Sequence, residues 1–243
     1  MKPGFVKQTP RSPIRILLVD DSLVALVVLR KMLAASPEIQ IVGAAHNGRE
    51  ALEMIPDLNP AVICTDYQMP GIDGLELTRQ IMARFPRPIL VISAVVTAKD
   101  TPMAFKLLEA GALDIFPKPN ASLDANYPSL AAELVHKIRI LAGVTVFSRR
   151  DRGYQPLGTS APPAAARGTT SSRSINLVAI GASTGGPQAL KEILCHLPAG
   201  LPSPVVCVQH ISDGFLQGLV DWLGACARLK VKVAEAGELV SPG

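Results

Sequence analysis

The chain of 243 residues has few aromatic side chains, little excess charge and no long apolar run. Aromatic residues make up 4% of it and the formal net charge is +4, so a base-stacking, strongly basic nucleic-acid surface is not indicated. No apolar stretch is long enough to span a bilayer, and the first ten residues lack the apolar core of a signal peptide. We therefore expect a cytoplasmic protein with no nucleic-acid partner and no direct membrane insertion.

Paired-cysteine motifs are also missing. The four cysteines are far apart and lie in apolar contexts, at Cys64, Cys195, Cys207 and Cys226. This spacing favours buried free thiols over a metal site or a disulfide framework.

Alternating strand and helix patterns divide the chain into two α/β segments. Residues 1–13 contain three prolines and no periodicity, which predicts a disordered leader. Residues 14–142 hold five short apolar runs that alternate with helical patterns, as in a doubly wound, flavodoxin-like parallel sheet. Small residues, proline, serine and arginine then predict a linker over residues 143–174. Residues 175–243 resume the pattern and predict a second, Rossmann-like α/β domain that is incomplete. Its strands are expected at residues 175–180, 205–208 and 231–234.

Polar side chains follow the predicted strands of the first segment at their carboxyl ends. Asp20 and Asp21 follow the first strand, and Asp66 ends the third. Ser93 ends the fourth strand and Lys118 follows the fifth. These ends meet at one edge of a parallel sheet, where clustered carboxylates need a cation such as Mg²⁺ to stay ionised. A hydroxyl and an ammonium group beside them would complete a cradle for a phosphoryl group, with a carboxylate as its acceptor.

Each of these residues also has a plainer interpretation. The three aspartates could cap the helices that follow them, since Asp is common at helix N-termini and in turns. Ser93 could be an ordinary turn residue, and Lys118 a solvated loop lysine. Their joint occurrence at successive strand ends favours the phosphoryl site.

The segment from Ile14 to Leu141 resembles the receiver domain of bacterial two-component response regulators. The resemblance is carried by Val19-Asp20-Asp21-Ser22, by Asp66-Tyr67-Gln68-Met69-Pro70-Gly71-Ile72-Asp73-Gly74, by Ser93-Ala94 and by Lys118-Pro119. It implies that Asp66 accepts a phosphoryl group from a histidine kinase.

The same resemblance implies the surroundings of the phosphoacceptor. Mg²⁺ would be held by Asp20, Asp21, Asp66 and the carbonyl of Gln68, while Ser93 and Lys118 would bind the phosphoryl oxygens. Receivers usually carry a Tyr or Phe three residues before the lysine. This chain has Ile115 there, with Phe116 beside it.

A second candidate site lies in the second segment. Gly181-Ala182-Ser183-Thr184-Gly185 fits the G-x-S-x-G pattern of a strand-to-helix turn that exposes a serine hydroxyl near backbone N–H groups. A phosphate-binding loop is the rival interpretation, but no acidic residue ends a following strand about twenty residues later. His210 follows the next predicted strand and is the candidate base, although an ordinary buried histidine is also possible. His136 and His196 lie on predicted helices as surface or core residues.

Residues from Asn176 to Gly243 resemble the catalytic domain of chemotaxis protein-glutamate methylesterases. The resemblance is carried by Ile180-Gly181-Ala182-Ser183-Thr184-Gly185-Gly186-Pro187, Val208-Gln209-His210, Gly214-Phe215 and Ala236-Gly237-Glu238. It implies a Ser-His-Asp esterase in which Ser183 attacks the γ-methyl ester of a chemoreceptor glutamate, with His210 as general base. It also implies glutamine deamidation, no metal in the esterase site, and an unphosphorylated receiver that covers the cleft.

One departure from that family concerns the third member of the triad. The family aspartate lies downstream of the matched region, and none of the acids after His210 falls in a matching motif; these acids are Asp213, Asp221, Glu235 and Glu238. A Ser-His pair without its aspartate loses several orders of magnitude in rate, so we expect little or no esterase activity from these residues alone. The alternative function is a non-catalytic phosphoacceptor that competes for kinase phosphate or docks on receptors. A DNA-binding regulator is disfavoured, because no helix-turn-helix pattern follows the linker.

Overall fold

The computed structural model of the chain describes residues 12–93, 101–119, 127–146, 176–211 and 214–242. The leader predicted over residues 1–13 and the linker predicted over residues 143–174 lie outside these residues, apart from a few at their edges. Among the described helices, none is both long enough and apolar enough to cross a bilayer.

The first half of the chain alternates strands and helices, as its apolar pattern predicts. In chain order the elements are β1 (Ile14–Val19), α1 (Leu23–Leu33), β2 (Ile39–Ala45), α2 (Gly48–Leu58), β3 (Val62–Asp66), α3 (Gly74–Arg84), β4 (Ile89–Ser93), α4 (Thr101–Ala110), β5 (Asp114–Pro117) and α5 (Tyr127–Leu141).

These five strands form one parallel sheet in the order β2-β1-β3-β4-β5. This is the flavodoxin-like order, so the doubly wound fold expected for the first segment is confirmed. Every residue of β3 and β4 is buried, because helices cover both faces of the sheet. The parallel arrangement brings the carboxyl ends of β1, β3 and β4 to one edge.

The second half forms a smaller parallel sheet of two strands. Its elements are β6 (Val178–Ala182), α6 (Gly186–His196), β7 (Val205–Gln209) and α7 (Leu216–Gly224). The first strand begins later than predicted, because its pairing with β7 starts at Val178. The strand predicted over residues 231–234 is wrong: these residues are largely exposed and pair with no described strand. An apolar alternation alone does not make a strand when no neighbour takes up its backbone hydrogen bonds.

The prediction of buried free thiols is correct for Cys64 and wrong for the other cysteines. Burial raises the pKa of the Cys64 thiol to about 12. Cys207 is free but exposed. Cys195 and Cys226 form a disulfide, with their Cα atoms 5.2 Å apart. The pair is 31 positions apart in sequence and meets only because α6 packs beside α7.

The two halves contact each other through α4 of the first and α6 and α7 of the second. The side-chain amide of Gln188 donates to the carbonyl of Leu108 at 2.7 Å. The ammonium group of Lys191 lies 2.6 Å from Glu109 Oε1, which also accepts a hydrogen bond from the Trp222 indole at 3.0 Å. A polar and aromatic contact therefore links the first sheet domain to the helices of the second.

Candidate functional site

Three carboxylates converge at the edge of the first sheet. Oxygen atoms of Asp20, Asp21 and Asp66 all lie within 4.8 Å of one another. Asp20 and Asp66 are 1% and 5% exposed, while Asp21 faces solvent. Oxygen ligands gathered in this way, partly buried and open on one side, fit a hard divalent cation such as Mg²⁺. The fold thus brings together the three carboxylates of the predicted donor set.

Lys118 joins this cluster. Its ammonium group lies 2.6 Å from Asp66 Oδ2 and donates to Asp20 Oδ1 at 3.0 Å, and its backbone N–H donates to the carbonyl of Ser93 at 2.6 Å. Burial by itself would lower the pKa of Lys118, but the hydrogen bonds to the two carboxylates outweigh it and raise that pKa. Burial raises the pKa of Asp20, and the hydrogen bond from Lys118 offsets part of this effect. The interpretation of Lys118 as a solvated loop residue is therefore wrong.

Neighbouring residues fill the capping roles considered for the aspartates. Ser22 caps α1, where its hydroxyl accepts a hydrogen bond from the first turn at 3.3 Å. Asp73 caps α3, with its carboxylate accepting from the first turn at 2.8 Å. Asp20 instead accepts from the backbone N–H of Ser22 at 2.8 Å. The capping interpretation of Asp20, Asp21 and Asp66 is wrong, because other side chains occupy both caps.

The backbone after Asp66 is packed closely against the start of α3. A Cβ atom at Gly74 would lie 2.5 Å from the carbonyl oxygen of Asp66, so only glycine fits there without a shift. The carboxylate of Asp66 accepts from the N–H of Tyr67 at 2.6 Å, which orients one of its oxygens. Gln68 and Asp21 border the same shallow cavity of about 380 Å³.

Ser93 and Ile115, two further positions of the first site, lie on β4 and β5. Ser93 is buried at the end of β4, the strand next to the one that carries Asp66. Ile115 is partly buried and packs in the cluster that includes Phe105. Phe116 is fully buried in the cluster on the opposite face, since successive side chains of a strand point to opposite faces. Phe116 therefore does not replace the aromatic residue that receivers usually carry at the position of Ile115.

The second site is formed by the residues that follow β6 and β7. Ser183 Oγ lies 3.5 Å from Nδ1 of His210. The N–H of His210 donates to the carbonyl of Ala182 at 3.0 Å, which continues the strand pairing by one bond and holds the imidazole opposite the serine. His210 is exposed, so the alternative of an ordinary buried histidine is wrong.

The turn between β6 and α6 has a positive φ at Gly185, +76°, rather than at Ser183. The backbone of Ser183 is therefore not left-handed, unlike that of the serine in some strand-to-helix turns. Helix α6 begins three residues after Ser183, and its N-terminal dipole favours negative charge nearby. The other two histidines considered, His136 and His196, are exposed on α5 and α6.

No carboxylate within the described residues forms a hydrogen bond or ion pair with His210. Asp221 lies on α7, where Gln217 donates to it at 2.8 Å. Glu235 and Glu238 are exposed near the end of the chain, and Asp213 falls outside the described residues. Because Nδ1 of His210 faces Ser183, an orienting acid would have to meet the other ring nitrogen, Nε2.

Two features of the sites were not predicted from the sequence. Gln209 donates to the carbonyls of Ser183 and His210, at 2.9 and 2.7 Å. Glu109 accepts hydrogen bonds from both Lys191 and Trp222, which lie in the other half of the chain. The sequence offers little signal for either, beyond a glutamine directly before the candidate base.

Comparison with known proteins agrees with the geometry of both sites. The family model for the response regulator receiver domain matches residues 16–125, and the first half of the chain is such a receiver domain. The family model for the CheB methylesterase matches residues 178–243. The chain therefore contains a receiver domain followed by a segment that matches the CheB methylesterase domain.

Curated relatives match almost the whole length of this chain. The chain is 41% identical over 232 residues to protein-glutamate methylesterase/protein-glutamine glutaminase 2 of Methanospirillum hungatei, covering 95% of this chain and 65% of that protein. It is 39% identical over 233 residues to the corresponding protein 1 of Syntrophus aciditrophicus, with the same coverage. The chain thus spans about 65% of the length of these relatives. Among solved structures it is similar to the response regulator domain of Thermotoga maritima CheB, with 33% identity, a TM-score of 0.49, and coverage of 55% of this chain and 98% of that one.

Proposed function

We propose that the chain provides the phosphorylation-regulated receiver and the Ser-His pair of a protein-glutamate methylesterase that acts on chemoreceptors and also deamidates receptor glutamines. The observation that carries this proposal is the 3.5 Å approach of Ser183 Oγ to His210 Nδ1. Relatives of this chain bear the names of both activities. The action would take place on the cytoplasmic part of the receptors.

The proposed input step is phosphoryl transfer to Asp66. A carboxylate oxygen of Asp66 attacks the phosphorus of a phosphohistidine on a chemotaxis histidine kinase; the O–P bond forms and the N–P bond breaks. Lys118 and Ser93 bind the transferred oxygens, and the ammonium group offsets their negative charge. Asp20, Asp21, Asp66 and the carbonyl of Gln68 would hold Mg²⁺, which neutralises phosphoryl charge when bound.

An apolar surface beside the phosphoacceptor supports a protein phosphodonor. Leu23, Val24 and Val27 of α1 are 66%, 60% and 63% exposed. They follow directly after the aspartates of the acidic cluster, and exposed apolar side chains grouped in this way indicate a protein contact. We place the kinase domain that carries the phosphohistidine on this face.

The proposed output step is ester hydrolysis at Ser183. Its hydroxyl oxygen attacks the γ-carbonyl carbon of the methylated glutamate while His210 takes the hydroxyl proton. His210 then gives this proton to the departing methoxide, and methanol leaves. Water hydrolyses the acyl-enzyme by the same route in reverse, and ammonia takes the place of methanol when the substrate is glutamine. None of these steps requires a metal.

The contact between the halves supports control of the second site by the first. Helix α4 follows β4, which ends at Ser93, and packs against α6 and α7. A change at Ser93 on phosphorylation would reach α6, which begins three residues after Ser183. Trp222 is the only tryptophan of the chain and contacts Glu109 of α4, so its fluorescence reports this contact.

The decisive experiment measures phosphoryl uptake and methanol release on the same protein. The full chain is incubated with Mg²⁺ and a small-molecule phosphodonor, and then with methylated receptor domains. We expect Asp66→Asn to abolish uptake and Ser183→Ala to abolish methanol release. Asp57→Asn, an exposed aspartate on α2, is the matched control and should change neither.

The lack of an acid partner for His210 among the described residues favours a second candidate function. A Ser-His pair without its aspartate falls by about 10⁴ in rate, so this chain would then act as a non-catalytic phosphoacceptor. Phosphoryl uptake without methanol release would support this alternative. If the wild-type chain takes up no phosphoryl group, both functions are contradicted.

A further inference from the structure

We propose that Gln209 is a positioning residue that holds Ser183 and His210 at their mutual distance. The proposal rests on the proposed function, since it concerns the same pair. The Nε2 atom of Gln209 donates to the carbonyl of Ser183 at 2.9 Å and to the carbonyl of His210 at 2.7 Å. One side-chain amide therefore bridges the backbone of the nucleophile and the backbone of the base.

The orientation of this amide is determined by its neighbours. Both bridged groups are carbonyls, which only accept hydrogen bonds, so the NH₂ end of Gln209 must face them. The opposite end, Oε1, is buried and has no hydrogen-bond partner among the described residues. It lies over Gly186, where a Cβ atom would overlap it. The second glycine of the Gly185-Gly186 pair thus leaves room for the bridge.

The bridge acts where the strand pairing stops. The last backbone hydrogen bond between the strands runs from His210 N–H to the carbonyl of Ala182 at 3.0 Å. Ser183 lies beyond that bond, and its carbonyl is held by Gln209 and by the N–H of Gly186 at 2.7 Å. The separation of 3.5 Å between Ser183 Oγ and His210 Nδ1 is at the outer limit of a hydrogen bond. A small displacement of either strand end would therefore separate the pair.

The test measures the Ser183–His210 contact by NMR and does not require catalytic turnover. The chain has four histidines, so the ring ¹⁵N resonances of His210 can be assigned in the labelled full chain by single replacement. The change that Ser183→Ala causes in the Nδ1 shift of His210 measures the contact. This Ser183-dependent change in shift is measured in the wild type, in Gln209→Met and in Gln209→Glu. Gln209→Met keeps a similar side-chain volume but has no hydrogen-bonding atoms, and Gln209→Glu turns a carboxylate oxygen toward the two carbonyls.

Gln217→Met is the matched control, because Gln217 is exposed on α7 and its amide donates only at the surface, to Asp221. We expect Gln209→Met and Gln209→Glu to lose more than half of the Ser183-dependent shift, while Gln217→Met keeps it. Thermal melting followed by Trp222 fluorescence shows whether the second unit remains folded in each variant. A full shift in a folded Gln209 variant, or no shift in the wild type, would overturn the proposal. Unfolding of the unit in both Gln209 variants would overturn it as well, since the role would then be that of an ordinary fold contact.

Labelling of Ser183 by a fluorophosphonate separates this inference from the proposed function. Where the wild-type chain is labelled, we expect Gln209→Met to slow labelling by about tenfold or more, because a displacement near 1 Å is costly to attack geometry. An unchanged labelling rate would overturn the positioning role. Where the wild-type chain is not labelled but the Gln209-dependent shift is present, the esterase function fails for this chain and the positioning role of Gln209 stands.

Discussion

Replacing Lys118 with methionine removes the ammonium group that lies between Asp20 and Asp66. The lysine side chain is 14% exposed, and the two carboxylates are 1% and 7% exposed. Each charge-assisted hydrogen bond of this kind contributes about 1.5–3 kcal/mol, and breaking a buried pair costs about 3–5 kcal/mol. In the absence of Mg²⁺ we therefore expect Lys118→Met to lower the free energy of unfolding of the receiver domain by about 3–5 kcal/mol.

Added Mg²⁺ should reverse part of this loss. Without the ammonium group, the acidic cluster of Asp20, Asp21 and Asp66 has lost its competing positive charge. We expect the variant to bind Mg²⁺ at least about tenfold more tightly than the wild type, which corresponds to about 1.4 kcal/mol. Urea unfolding followed by far-UV circular dichroism, with and without Mg²⁺, measures both effects.

The difference in stability between the wild type and Lys118→Met should depend on pH in one direction. The pKa of Lys118 is raised above its ordinary value of 10.5 by its two carboxylate partners. Its stabilisation is thus fully present below pH 10.5 and is lost as the pH rises through the higher pKa of the folded state. The gap in stability between wild type and Lys118→Met should be constant at neutral pH and shrink only above about pH 10.5.

Lys106→Met, on the exposed face of α4, is the control for this experiment and should stay within about 0.5 kcal/mol of the wild type. A loss below about 1 kcal/mol in Lys118→Met would refute the assignment of Lys118 as the buried counter-ion. So would an equal response of wild type and variant to Mg²⁺.

Three further predictions concern contacts within each half of the chain and between the two halves. The buried pair of Lys137 and Asp114, 2.7 Å apart, predicts a loss of about 3–5 kcal/mol for Lys137→Met in urea unfolding, and the double variant Lys137→Met/Asp114→Asn should recover at least half of it. The disulfide between Cys195 and Cys226 closes a loop of 31 positions, so a dithiol reductant should destabilise the second unit by about 3.5 kcal/mol and have no further effect on Cys195→Ser. Phosphorylation should shift the emission of Trp222 if it alters the contact with α4; an unchanged spectrum in a phosphorylated chain would contradict that coupling.

Much of the first domain could be predicted from the amino-acid sequence. Each strand there is a short apolar run, fully buried in β3 and β4, and each is followed by a helical pattern, so local periodicity carries the information. The candidate residues Asp20, Asp66 and Lys118 could be placed together because parallel strands share one open edge. The plainer capping roles could not be dismissed in advance, since Ser22 and Asp73 were equally available in the sequence and only the local geometry decides which residue caps.

The errors fall in the second half, where the pattern is less constrained. Residues 231–234 alternate like a strand, but strand formation depends on a neighbour, and no described strand pairs with them. The cysteine pair was missed for a related reason: residues 31 positions apart are joined only through the packing of two helices.

The sequence by itself determined the doubly wound fold class of the receiver and the identity of its acidic cluster, because both follow from periodicity and from the ends of parallel strands. Only the tertiary structure decided that Lys118 donates to both Asp20 and Asp66, that Ser183 Oγ lies 3.5 Å from His210 Nδ1, and that Gln209 bridges their backbones. These contacts depend on ångström distances between residues far apart in the chain, and such distances arise from packing rather than from any local pattern.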